Sequence, residues 1–313
     1  MSILVRFPFA SMVGRPFCDY LNISVPVEHV DALRDAVLPV LRSSGHFAES
    51  ESGDIFQFFT MGVRKGNVVL IPSGTVKFGR RGKVATLSTS GAALSILRAS
   101  GGLPEYLAAI GSLSHRVTML HATADFHIPD VPTAIRAVKD AAYAGELSLT
   151  RKKIQPSQCK HIFGVDFEGN ETGTVYLGQR ANADVWAKVY DKGHQQVSMG
   201  NAHPGSIARV EVAAMSDVGA TLRDASDPFD IFFHFAGRTL VEAPPEFSGW
   251  AAHGEGYVLG EKVERTLFER FERFLENSRD IHTAARMALE LYGADIAPQA
   301  LGRKILAMAH SGV

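Results

Sequence analysis

The sequence predicts an α+β protein: two similar strand–helix–strand halves forming an antiparallel sheet, then a C-terminal helical region. Three observations predict it. An octapeptide recurs: Gly74-Thr-Val-Lys-Phe-Gly-Arg-Arg81 and Gly173-Thr-Val-Tyr-Leu-Gly-Gln-Arg180 share five of eight residues, ninety-nine positions apart. At about the same distance a strand pattern runs twice into a helical pattern, at residues 19–25 then 27–43 and at residues 117–125 then 131–144. Self-similarity at a fixed spacing is the mark of a repeated unit. Beyond Ala213 the apolar period changes to that of helices.

Taken in order, residues 1–113 make the first half, a scaffold for DNA binding, and residues 114–215 the second, which carries the chemistry. Residues 216–313 make the mainly helical remainder. Each half reads as a strand, a helix and several strands joined at tight Gly turns. Segment 84–88 stands where the first half would carry a counterpart of the strand 188–192. Helices are predicted over 258–277, 280–292 and 298–309, with Val263, Leu267, Phe271 and Phe274 as a core stripe and Gly293 as a stop. Residues 201–205 and 243–246 read as loops.

Composition narrows the function classes. Of 313 residues 46% are apolar and 21% charged, which excludes a disordered or fibrous chain. With 32 basic and 33 acidic side chains the net charge is −1, so a uniformly basic coat for nucleic acid is excluded. The charge is segregated, however. From Ile55 to Pro104 there is no acid but seven bases: Arg64, Lys65, Lys77, Arg80, Arg81, Lys83 and Arg98. A second acid-free stretch, 148–164, carries Arg151, Lys152, Lys153 and Lys160. A neutral protein presents a basic face to phosphate in this way. Two cysteines, Cys18 and Cys159, make no disulfide framework and point to a reducing, cytoplasmic setting. Neither a membrane span nor a signal peptide is expected.

Strand alternation then gathers the polar residues. In 183–192, Trp186, Lys188, Tyr190 and Lys192 face one way, and Val185, Ala187 and Val189 the other. In 207–213, Arg209 and Glu211 share a face opposite Ala208, Val210 and Val212, and in 117–125 His121, Thr123 and Asp125 oppose Leu120, Ala122 and Ala124. On one antiparallel sheet these would form an aliphatic side and a side rich in ionisable groups. A phenol is a poor nucleophile at its unperturbed pKa of about 10 and is activated by a neighbouring cation. A carboxylate with a histidine can hold a hard divalent ion, which polarises a phosphoryl oxygen, while Arg and Lys hold phosphate. Such a face suits phosphoryl transfer through a phosphotyrosine. The glycines accompany no GxxxxGK[ST] or GxGxxG pattern, and His115, His127, His194 and His203 show no metal-ligand spacing.

The blocks Gly173–Arg180, Lys188-Val-Tyr-Asp-Lys192 and Arg209-Val-Glu211 resemble the signature of rolling-circle replication initiators, the Rep_trans-type proteins of small plasmids and filamentous phages. The family pattern is Gly-Thr-x-Tyr-x-Gly-x-Arg, then Arg-x-Tyr-Asp-Lys, then Arg-x-Glu. Its upstream strand, Thr-Arg-x-Asp-x-Ala-x-Asp, reads here Thr118-Met-Leu-His-Ala-Thr-Ala-Asp125. The resemblance implies a relaxase-like DNA nickase and ligase. Tyr190 would attack a phosphodiester and keep the 5′ end, freeing a 3′-hydroxyl, with Lys192 stabilising the phenolate or phosphate. Glu211, His121 and Asp125 would be the metal-site residues for Mg²⁺ or Mn²⁺, and Arg180, Lys188 and Arg209 would contact the strand. Lys77, Arg80 and Arg81 would grip flanking DNA. Origin DNA, a second copy of the chain, and a host helicase and polymerase are the implied partners. The chain departs from the pattern at Met119, His121 and Lys188. Four residues of strand span about 13 Å, so His121 and Asp125 reach one ion together only across a bulge, and His121 is the favoured ligand. Met119 and His121 leave an alternative open: a non-catalytic DNA-binding relative, such as a phage regulator.

Overall fold

The computed structural model describes residues 6–64, 67–81, 83–165, 171–178, 183–198 and 205–252. The helices expected over 258–277, 280–292 and 298–309 lie outside the described residues. The first half contains β1 (Met12–Pro26), α1 (Val30–Ser43), β2 (His46–Glu49), β3 (Ile55–Arg64), β4 (Asn67–Arg81) and β5 (Val84–Ser90). Two helices, α2 (Gly91–Ala99) and α3 (Leu103–Gly111), lead to the second half. That half contains β6 (Arg116–His127), α4 (Val131–Tyr143), β7 (Cys159–Val165), β8 (Glu171–Leu177), β9 (Val185–Asp191), α5 (Lys192–Ser198) and β10 (Ile207–Met215). Two short helices follow, α6 (Leu222–Ser226) and α7 (Phe229–Ala236).

The described strands form one antiparallel sheet in the order β2-β3-β4-β5-β1-β6-β10-β9-β8-β7. Each half supplies five strands in the same pattern: its first strand lies at the centre, its last strand beside the first, and the meander runs outward. β1 and β6 pair with each other, so the halves share a sheet rather than packing as separate bodies. The helices repeat as well. α1 buries Val30, Leu33, Val37 and Leu41, and α4 buries Val131, Ile135, Val138 and Ala142. Both are stripes at helical spacing against the aliphatic face of the sheet. Asp130 caps α4 by accepting a hydrogen bond from the Thr133 N–H at 3.0 Å.

The two halves are real, but the octapeptide that suggested them is out of step with the sheet. Gly74–Arg81 falls in β4, two strands from β1, whereas its match begins in β8, three strands from β6. By sheet position β5 corresponds to β10, and β4 to β9. The segment 84–88 is therefore not the counterpart of the strand that carries Tyr190. α7 is apolar on nearly all sides and accordingly buried, with Ile231, Phe232 and Phe233 at 1% exposure or less. Among the described residues no helix is long and apolar enough to cross a membrane. Cys18 and Cys159 are free, and burial pushes the Cys18 thiol up to about 12.

Candidate active site

Three rungs of the sheet set the candidate site. In the first, Tyr190 of β9 pairs with Arg209 of β10, which pairs with Asp125 of β6. In the second, Lys188 pairs with Glu211 and Glu211 with Thr123. In the third, Trp186 pairs with Ala213, Ala213 with His121, and His121 with Tyr20 of β1. Period-two alternation puts all of these on one face. The small Ala213 side chain leaves space for the rings beside it, and His121 and Trp186 meet edge-on with centroids 5.4 Å apart.

The Tyr190 hydroxyl donates to Glu211 Oε1 at 2.5 Å. The other carboxylate oxygen takes the Lys188 ammonium at 2.7 Å and faces His121 Nδ1 at 3.5 Å. Lys188 Nζ also lies 5.0 Å from the Tyr190 ring centroid. Nearby, Arg209 forks onto Asp125, with Nε to Oδ1 at 2.6 Å and its second nitrogen to Oδ2 at 2.8 Å. Its remaining nitrogen lies 3.6 Å from Asp19 Oδ2, and its guanidinium packs over Phe17.

This face is drier than the sequence suggests. Glu211 is 2% exposed, Tyr190 5%, Arg209 8% and His121 9%. Burial, reinforced by the Glu211 charge, holds the Tyr190 phenol well above its ordinary range. Burial alone would raise Glu211 too, but the contacts from His121, Lys188 and Tyr190 outweigh it and hold the carboxyl at about 2. Burial and then Glu211 push Asp19 up. Burial and then Arg209 push Lys192 down.

The structure thus brings together Tyr190, Glu211, Lys188 and His121, with Arg209 beside them. It separates others. Asp125 belongs to Arg209, and among the described residues no three His, Cys, Asp or Glu side chains converge as a metal-binding group. The expected trio of His121, Asp125 and Glu211 is therefore not assembled here, because β6 carries Asp125 to the Arg209 rung. Lys192 is not a strand residue: β9 ends at Asp191, and Lys192 opens α5, donating to Gln195 Oε1 at 2.8 Å. The cation against Glu211 and the Tyr190 ring is Lys188. Lys77, Arg80 and Arg81 sit on β4, away from this centre, and Arg180 lies outside the described residues.

Asp19 was missed. It is the extra residue of a β-bulge: Cys18 pairs with Ala122 and Tyr20 with His121, so Asp19 has no partner on β6. Bulges re-aim side chains, and here the bulge brings Asp19 to Arg209 and the Tyr20 ring to His121. The available signal was an aspartate inside an apolar strand, where Asp is disfavoured.

Of the three expected ligands Glu211 and His121 stay together, with both Glu211 oxygens engaged by Tyr190, Lys188 and His121 Nδ1. His121 Nε2 is buried without a hydrogen-bond partner among the described residues. An imidazole with one nitrogen facing a carboxylate and the other unsatisfied is the usual form of an oriented metal ligand, and here the orienting carboxylate is Glu211, on the Nδ1 side, so Nε2 and Glu211 do not face one ion. An ion on Nε2 would take its other ligands from water and phosphate, as Mg²⁺ does, and the imidazole favours Mn²⁺.

No protein-family model matches the sequence, and no curated protein matches it. Among solved structures the chain is similar to a rolling-circle replication initiator protein from Geobacillus stearothermophilus. The identity is 17%, over 65% of this chain and 75% of that one, with a TM-score of 0.39. It is also similar to the di-domain ARO/CYC BexL of the BE-7585A biosynthetic pathway, at 14% identity over 68% and 92%, with a TM-score of 0.21. Both superpositions are too loose to bear on what this chain does.

Proposed function

We propose that this chain nicks and rejoins DNA at a specific origin site through a 5′-phosphotyrosine on Tyr190, initiating rolling-circle replication. The observation that carries this reading is the convergence of phenol, carboxylate, ammonium and imidazole from β6, β9 and β10. The motif resemblance supports it separately, because Tyr190, Lys188, Glu211 and His121 occupy the positions the family pattern reserves for its site.

In the cleavage step the Tyr190 oxygen bonds to phosphorus and the bond from phosphorus to the 3′ oxygen breaks. The downstream strand stays on Tyr190 through its 5′ phosphate, and the departing oxygen of the upstream strand takes up a proton from solvent to become a 3′-hydroxyl. The phenolic proton passes to Glu211 Oε1, which already accepts its hydrogen bond. At rest that transfer is uphill, because the phenol is held high and the carboxyl low. An arriving phosphate draws Lys188 away from Glu211, which makes the carboxylate more basic. Arg209, opposite Tyr190 on β10, favours the phenolate. A Mg²⁺ or Mn²⁺ ion held by His121 Nε2, with Glu211 orienting the ring through Nδ1, would polarise the phosphoryl oxygen and offset its developing charge.

The test incubates the protein with supercoiled plasmid carrying its own gene and flanking origin, with Mg²⁺ or Mn²⁺, and resolves the products with and without protease. Nicked DNA carrying a protease-sensitive adduct is expected, and Tyr190→Phe removes the adduct while leaving DNA binding intact. An adduct that persists in the variant refutes the assignment of the nucleophile. The non-catalytic DNA-binding reading has the burial of Tyr190 and the capture of Asp125 by Arg209 in its favour. It predicts metal-independent binding and no adduct with either metal.

A further inference from the structure

One guanidinium stands beside the Tyr190 cluster without a counter-charge. Phe17 of β1 pairs with Thr123, which extends the Lys188–Glu211–Thr123 rung by one strand and puts the Phe17 ring on the same face as Tyr190. That ring holds two cations. Arg209 Cζ lies 5.1 Å from its centroid and Arg98 Cζ 5.7 Å. The two guanidiniums differ in their neighbours. Arg209 is neutralised by Asp125 and Asp19. Arg98, in the last turn of α2, is exposed. It donates from Nη2 to the Cys18 carbonyl at 3.3 Å and pairs with no carboxylate among the described residues. The start of α2 fixes where it stands. A β-carbon on Gly91 would run into the Asp19 carboxylate and carbonyl, so the helix lies directly against the bulge of β1.

We propose that Arg98 holds a backbone phosphate of the DNA strand on which Tyr190 acts, one or two nucleotides from the phosphate under attack. The inference rests on the reading of Tyr190 as acting on DNA and adds which way the strand leaves it. Arg209 is the guanidinium nearest Tyr190, but its fork is spent on Asp125 and cannot take a phosphate as well. Arg98 spends one nitrogen on a carbonyl and keeps its charge uncompensated. The direction follows from exposure. The site is closed at Glu211, whose side chain is 3% exposed, and opens toward β1, where Asp19 and Asp125 are 23% and 17% exposed. Glu211, which accepts the Tyr190 hydroxyl, and Phe17 are two strand spacings apart, about 10 Å. A strand crossing the sheet that way passes over Arg209, which screens the two carboxylates, and meets Arg98 next.

The experiment measures anisotropy of a 5′-fluorescein 20-mer of thymidylate, with EDTA present, across a salt series. It then measures single-turnover adduct formation on the supercoiled origin plasmid with Mn²⁺. Parent protein is compared with Arg98→Ala, Arg98→Lys and Arg15→Ala, Arg15 being an exposed cation of β1 that pairs with Asp227 instead. Arg98→Ala is expected to bind the 20-mer about tenfold more weakly, with a salt slope shallower by about 0.7, for one phosphate on a single strand. Arg98→Lys should keep the slope and recover part of the affinity. In adduct formation Arg98→Ala should raise the half-saturating protein concentration by a similar factor and leave the plateau rate unchanged, as a contact made equally before and during the reaction does. Arg15→Ala should change neither. If Arg98→Ala keeps the parent's affinity and slope, or Arg15→Ala flattens the slope as much, Arg98 is ordinary surface charge and the proposal is overturned, while an adduct in the parent keeps the Tyr190 reading. Binding that depends on Arg98 without any adduct overturns the Tyr190 reading and leaves the phosphate contact standing. If parent binds no DNA, both fall together.

Discussion

Glu211 is the residue on which the candidate site balances, since it accepts from Tyr190, pairs with Lys188 and faces His121 while almost fully buried. Its folded pKa of about 2 lies below the unfolded value of about 4.3. The group therefore contributes stability that is present above about pH 4.3 and lost as pH falls toward 2. Glu211→Gln removes that dependence and strands the Lys188 charge. A loss of about 3 kcal/mol at pH 7, shrinking toward zero near pH 2, is expected in urea unfolding. Asp19 has the opposite sign. Its folded pKa is raised, so its contribution is fully present below its unfolded pKa and declines as pH rises through the folded one. Asp19→Asn should then raise the melting temperature at pH 7 and change it little at pH 3. Arg209→Lys keeps the charge but loses the fork onto Asp125. The expected cost is about 1–3 kcal/mol by the same urea assay. Tyr190, Lys188, Glu211 and His121 were legible because alternation is rigid within a strand. Asp19 was not, because a bulge breaks that rule, and Lys192 was misplaced because nothing in Tyr190-Asp191-Lys192 shows where β9 gives way to helix.

At the scale of elements, the recurring octapeptides fulfil different steric demands. A β-carbon on Gly74 would run into the backbone nitrogen of Ala93, because α2 lies directly on β4 there. A β-carbon on Gly173 would instead meet His161 Nε2 at 2.6 Å, on the neighbouring β7. Gly178 has φ +89°, which Gly79 does not share. The repeated letters thus record local needs for a missing side chain, while the repeated architecture lies in the strand–helix–meander order. That order was legible from two apolar periodicities a hundred or so residues apart. The register of the sheet was not, since the strands that pair across β1 and β6 are chosen by packing between halves. Gly74→Ala should cost about 1–3 kcal/mol through overpacking at the α2 contact. Gly14 has φ +71° but nothing within 4 Å of an added β-carbon, so Gly14→Ala should cost about 1 kcal/mol, from backbone strain alone. Equal losses in paired urea titrations would mean that α2 yields at Gly74.

At the scale of the whole molecule, the central β1–β6 pairing makes one polar face from two halves. Lys77 of β4 pairs with Ser88, and Ser88 with Asn22, whose side chain accepts a hydrogen bond from Ser88 at 2.8 Å. Asn22 lies two residues from Tyr20, whose ring touches His121. A ligand lying across the sheet can therefore meet Lys77 and the Tyr190 cluster together. β4 and β6 are three strand spacings apart, about 14 Å. Arg80, three residues further along β4, points to the other face, where it pairs with Asp31 of α1 at 3.7 Å. If this face carries flanking duplex, Lys77→Glu should weaken binding of an origin duplex and make the slope of log K against log salt shallower by about 0.9, for one phosphate. Single-turnover adduct formation on a short single strand that covers only the nick site should be unchanged, because Lys77 does not touch the Tyr190 rungs. An unchanged salt slope would mean that Lys77 is solvated surface and that the second half holds DNA by itself. A lost adduct on the short strand would mean instead that the strand crosses both halves on its way to Tyr190.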